Sequence, residues 1–266
     1  MDLLPQSLGL GAGTFLGLLA ALWAGHRVGR RRLTRGTSEG AGSASTAGQS
    51  AVEGAVFAIL GLLLAFSFSG AATRFADRRE LITQEANAIG TAWLRLDLLP
   101  APARPALRAA MKRYVDARLS VYRDPASDAA IAAGRRATAS AQDTLWALVV
   151  DAVATPDGAR AITTVVPAFN DLFDLATTRT MAMDVHQPPL LYGVLLLLMA
   201  IAAFVAGIAM APSEQLSRVH ALVLAATLAL TIWLTFDLEY PRRGVLRISA
   251  SDRAITDARA EMDRTP

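Results

Sequence analysis

Apolar positions fall into four charge-free blocks: Leu3 to Gly25, Gly54 to Thr73, Val185 to Ser213 and Val219 to Phe236. A helix needs roughly 20 apolar residues to cross the hydrocarbon layer, and each block reaches or approaches that length. The pattern predicts two transmembrane helices before, and two after, a polar middle at residues 74–184. In that middle the apolar residues recur at helical spacing, and strand-like alternation is absent. The predicted fold class is all-α, with four transmembrane helices in a 2+2 arrangement around a helical extramembrane middle domain.

The first block carries Gly9, Gly13, Gly17, Ala21 and Gly25 at intervals of four, a small-residue stripe that suits close packing against another helix. Thr37 to Ser50 is rich in glycine and serine and has no apolar period, so it is expected to be a flexible loop. Residues 1–50 therefore comprise the first transmembrane helix and an Arg/Gly/Ser-rich loop.

The second helix is expected to span the membrane at residues 52–73 and to continue beyond it. Phe68, Phe75, Ile82, Ile89 and Leu96 recur every seven residues, with Ala72, Ala86 and Trp93 at the alternate positions, and no proline intervenes before Pro100. That period predicts one helix from Val52 to Leu99 with a coiled-coil-like seam. The seam packs either on helices of the same chain or on a second copy. Three more helices are predicted, at Pro105 to Tyr122, Ser127 to Ala154 and Asp157 to Met183, with Pro167 bending the last. Pro188 and Pro189 open a third span at 188–211, the turn Ala211 to Arg218 follows, and the fourth span covers 219–236. Residues 51–250 form the main domain, and 251–266 are expected to be a polar tail.

Composition narrows the function classes. Lys112 is the only lysine among 26 basic residues, and the net charge is +3. The arginines are scattered among acids or flank the apolar blocks, where anionic headgroups attract them, so the bilayer and not a nucleic acid is the expected partner. The absence of cysteine excludes disulfides and thiol chemistry. Arg27, Arg30, Arg31, Arg32 and Arg35 follow the first block instead of preceding it, which marks a retained helix and not a secretory signal. The expected location is the cell (inner) membrane, multi-pass. Basic residues divide almost evenly between the two sides and leave the orientation open; the first helix alone points to an external middle domain.

The most specific stretch runs from Leu60 to Leu81. An apolar run ending at Phe66 is followed eight residues later by Arg74, Phe75, Asp77, Arg79 and Leu81, in the pattern Arg-aromatic-x-acid-x-Arg-x-Leu. This resembles the end of the second membrane helix of bestrophin anion channels. The chain looks more closely like the bestrophin-like bacterial membrane family, formerly a domain of unknown function. Arg79 to Asp97, Asn170 to Asp174 and Asp237 to Gly244 carry that likeness, which covers residues from about 50 to 250.

The resemblance implies a homo-oligomer, typically pentameric, that conducts small anions along a pore lined by the second helix. It places pore-lining side chains at Ala58, Leu62 and Phe66. Ala58 is smaller than the bulky residue of the pattern, and Ser67, Phe68 and Ser69 replace its asparagines. An ordinary lipid-facing or core role for Leu62 and Phe66 is the alternative. Arg74, Asp77, Arg78 and Arg79 read as an interfacial network, or as charges that concentrate anions at a pore mouth. Asp237, Glu239, Tyr240, Pro241, Arg242 and Arg243 read as a cap and anchor just outside the fourth helix. His26, His186 and His220 are isolated in sequence, so no metal site and no cofactor are predicted, and no catalytic set can be assembled. The expectation is a non-enzyme: an anion channel or, alternatively, a non-conducting membrane interaction or sensing protein.

Overall fold

The computed structural model describes residues 4–34, 43–122, 127–213, 216–242, 244–246, 248 and 251–264. Among them run eight α-helices and no strand: α1 Leu4–Thr34, α2 Ser43–Arg95, α3 Arg104–Ser120, α4 Asp128–Val153, α5 Ile162–Asp184, α6 Pro189–Ala209, α7 Arg218–Glu239 and α8 Arg253–Arg264. Four helical stretches are long and apolar enough to cross a membrane: Ser7–Thr34, Ser50–Leu98, Ala159–Ala209 and Arg218–Glu239. The chain is an all-α membrane protein. It divides into two compact units, an apolar one reaching Thr73 and resuming at His186–Tyr240, and a polar one of Arg74–Val185 with the residues from Pro241 on.

The apolar unit holds α1, the first half of α2, α6 and α7 around Leu22, Leu60, Leu195, Met199 and Ile232. The glycine stripe of α1 works at one end only. A Cβ on Gly25 would collide with the carbonyl oxygen of Phe204, and one on Gly207 with that of Leu22, so α1 and α6 meet backbone to backbone there. Around Gly9, Gly13 and Gly17 nothing lies within 4 Å of an added Cβ. That end of the stripe lines an open groove with Leu196 and Ala200.

The polar unit packs the outer half of α2 with α3, α4, α5 and α8. Ile82, Ile89 and Leu96 are fully buried and Ala86 and Trp93 nearly so, against Leu107, Met111, Tyr114 and Phe169 of the same chain. The outer seam of α2 is thus filled within one chain. Ser127 caps α4 by accepting from Ala130 N at 3.1 Å. Pro167 lies inside α5, and on the turn before it Arg95 donates to the Thr164 carbonyl at 2.8 Å.

Several boundaries differ from those expected: α2 ends at Arg95, with Leu96–Leu98 in a 3-10 turn, and α5 begins at Ile162, after a 3-10 turn at Ala159–Ala161, instead of at Asp157. Ser43 to Ser50 is the start of α2 and not loop, whereas 35–42 lie outside the described residues. An alanine- and serine-containing segment without an apolar period continues a helix whose nucleus already exists downstream. Asp237 and Glu239 lie within α7 and are buried. The apolar count stops at the first charge, but the helix does not. The C-terminal segment is helical from Arg253 to Arg264, with Ile255 and Met262 buried two turns apart on one face.

Candidate functional site

On the membrane half of α2, Ala58, Leu62 and Phe66 lie one turn apart on the face that the apolar unit leaves uncovered, Leu62 being 55% and Phe66 65% exposed. The opposite face carries Leu60, Leu64, Ser67 and Ala71, all buried. Ser67 is thereby turned away from Phe66. Its hydroxyl lies 2.8 Å from Gln187 Nε2 and 3.1 Å from Oε1, a buried pair. Phe68 and Ser69 are exposed.

Where α2 enters the polar unit, the four charges of the motif separate. Arg78 is buried and donates to the carbonyls of Ala182 at 3.0 Å and Val185 at 2.6 Å. Those oxygens belong to the last turn of α5 and its cap, where carbonyls lack intrahelical partners and the helix dipole favours a cation. Arg74 is half-buried, while Asp77 and Arg79 face outward. The histidines occupy separate settings. His26 is buried on α1, His186 stacks on Tyr240 at 4.6 Å, and His220 lies 2.6 Å from the Ser217 hydroxyl.

The densest chemistry is a buried ionic network inside the polar unit. Glu85 of α2 is fully buried and accepts from Arg118 Nε of α3 at 2.6 Å and from Arg179 Nη1 of α5 at 2.6 Å. Arg179 extends Nη2 to Asp252 at 2.8 Å, and Arg242 grips both oxygens of Asp252 at 2.7 and 2.9 Å. The guanidinium carbons of Arg179 and Arg242 lie over the Tyr122 ring at 4.1 and 4.2 Å. Burial alone would push the Glu85 carboxyl up, but the charges and hydrogen bonds of Arg118 and Arg179 outweigh it and hold it below its ordinary value. Burial pushes the neighbouring Tyr114 phenol up. One carboxylate thereby joins α2, α3 and α5.

The sequence reading did not single out this network, yet each member leaves a trace. Arg118 follows Leu107, Met111 and Tyr114/Val115 at helical spacing, Arg179 follows Phe169, Leu172 and Ala176, and Glu85 sits between Ile82 and Ile89. A charge on an apolar stripe is the signal, since such a group is buried only when paired. The outer faces of α2 and α5 also frame an open groove of about 490 Å³, lined by Gln84, Asn87, Thr91, Asp171, Asp174 and Thr178 among others. It collects Asn87 and the acids of the Asn170 to Asp174 stretch.

A family model, the bestrophin-like domain, matches residues 12–252 of the chain. No curated protein and no solved structure matches it.

Proposed function

The chain belongs to the bestrophin-like family, and on that premise we propose that it forms a homo-oligomer in the cell membrane whose α2 helices surround a path for small anions. The observation that carries this reading is the row Ala58, Leu62 and Phe66, stacked at one-turn intervals on a face that the chain's own fold leaves uncovered. Copies of α2 brought together on that face form an apolar constriction. Such a constriction gates by dewetting, and the positive edges of phenyl rings favour an anion over a cation. The Glu85 network fixes the outer half of α2 to α3 and α5.

The test is chloride flux from liposomes containing the purified protein, with Phe66→Ala alongside. The expected result is flux above empty vesicles that rises when the ring is removed. Flux equal to empty vesicles, where a known channel works, removes the reading. A monomeric mass in detergent or nanodiscs counts against it independently.

A second reading is favoured by the groove of Asn87, Asp171 and Asp174, which is open and carries two carboxylates: a non-conducting protein that binds a partner there. A chain that self-associates, fails to conduct and loses a partner on Asp174→Ala fits that reading. The fate of a reporter fused after Asp143 fixes the side of the membrane from which the groove is reached.

A further inference from the structure

The ionic network of the polar unit contains three guanidinium groups, Arg118, Arg179 and Arg242, against two carboxylates, Glu85 and Asp252. One positive charge is in excess. The two acids hold different positions: Glu85 is fully buried on α2, whereas the Asp252 side chain is 19% exposed and arrives on the segment leading into α8. Arg179 is braced from behind by Glu85, which leaves Nη2 for Asp252, and Arg242 forks across both Asp252 oxygens. Two parallel N–H donors onto one anion suit a carboxylate and a phosphate equally. Both Nε atoms, of Arg179 and Arg242, are buried and have no acceptor among the described residues. The two oxygens of a carboxylate do not satisfy them; a tetrahedral oxyanion brings four.

We propose that Arg179 and Arg242, over the Tyr122 ring, form an oxyanion site that the chain fills with its own Asp252, and that a phosphate-type oxyanion exchanges with that carboxylate. Exchange frees the turn at 251–256, since the side-chain ion pairs Lys112–Asp263 and Arg259–Asp116, which join α8 to α3 among the described residues, lie at the surface. Such exposed pairs hold weakly. Met262 keeps the far end of the helix docked through its buried side chain, so the opening is local. The site does not depend on conduction.

The first measurement needs no variant. Amide exchange at 251–256 is followed on the full chain in sodium phosphate and in sodium chloride at matched ionic strength. At least about threefold faster exchange in phosphate is expected; equal rates overturn the exchange. In Asp252→Ala, phosphate is expected to raise the unfolding midpoint by roughly 2–4 °C over chloride, and in Asp252→Ala/Arg242→Ala by nothing. A shift that survives the loss of Arg242 overturns the site. Nanodiscs identify the source of the anion: faster exchange with phosphatidylglycerol in place of phosphatidylcholine, without added phosphate, supports the site with a lipid headgroup as its ligand. Acceleration only with added phosphate supports it with a free anion.

Discussion

The two halves of α2 repeat large apolar side chains at similar intervals and meet opposite surroundings. In the outer half Ile82 and Ile89 are fully buried by α3, α5 and their neighbours, as is Leu96 just beyond its end, and Glu85 sits between Ile82 and Ile89, neutralised by two arginines. In the membrane half Leu62 and Phe66 lie open, and the buried side of the helix is built from Leu60, Leu64 and Ala71. Hydrophobic spacing therefore states that a face is to be covered but not by what. Where a charge interrupts the stripe, the same chain supplies the cover; where none does, lipid or another copy is left to supply it.

The largest expected effect breaks the covered half. Glu85→Gln keeps the shape but leaves Arg118 buried without its counter-charge and Arg179 with Asp252 alone, which should destabilise the polar unit by about 3–5 kcal/mol. A lowered melting temperature of the detergent-solubilised protein, read by circular dichroism, checks it. The same carboxyl has a pH signature. Because its folded value is depressed, its contribution is fully present above the ordinary glutamate pKa of about 4.3 and is lost as pH falls through the lowered value. Wild-type stability should fall on acidification through that window, and Glu85→Gln should lose most of that dependence.

Next comes a pair of truncations on the one helix. Ile89→Ala removes a fully buried side chain and should cost about 2–4 kcal/mol with no change in ion selectivity. Phe66→Ala removes an exposed one and should cost less than about 0.5 kcal/mol in the melt of the detergent-solubilised protein while altering chloride flux. Equal melting costs for the two would show that another copy covers Phe66 as fully as this chain covers Ile89.

The fold class was legible because it rests on local pattern: the four apolar blocks gave α1, α2, α6 and α7, and the seven-residue period gave the continuous α2. The motif from Phe66 to Leu81 carried the family for the same reason. Its charges were less legible. Arg78 looked like one more cation at the membrane edge, yet it is buried against the end of α5, more than a hundred residues away. The Glu85, Arg118, Arg179 and Asp252 set stayed hidden because pairing between helices depends on which stripes meet, and sequence distance does not encode that. A charge on an apolar stripe announces that a partner exists, not which one.

The smallest effects test whether covered and open faces also differ along α1. In a soluble or a membrane helix, replacing glycine by alanine lowers the backbone freedom of the unfolded chain and favours the helix by roughly 0.5–1 kcal/mol when the methyl group meets nothing. Gly13 meets that condition, since nothing lies within 4 Å of an added Cβ. Gly25 does not, because its methyl group would strike the Phe204 carbonyl and force α1 from α6, at a cost of about 1–3 kcal/mol. The two substitutions, identical in chemistry and three turns apart, should therefore shift the melting temperature of the detergent-solubilised protein in opposite directions. Should Gly13→Ala destabilise instead, while the mass of the complex falls, the open end of the stripe is covered by another copy, and the contrast drawn for α2 extends to α1.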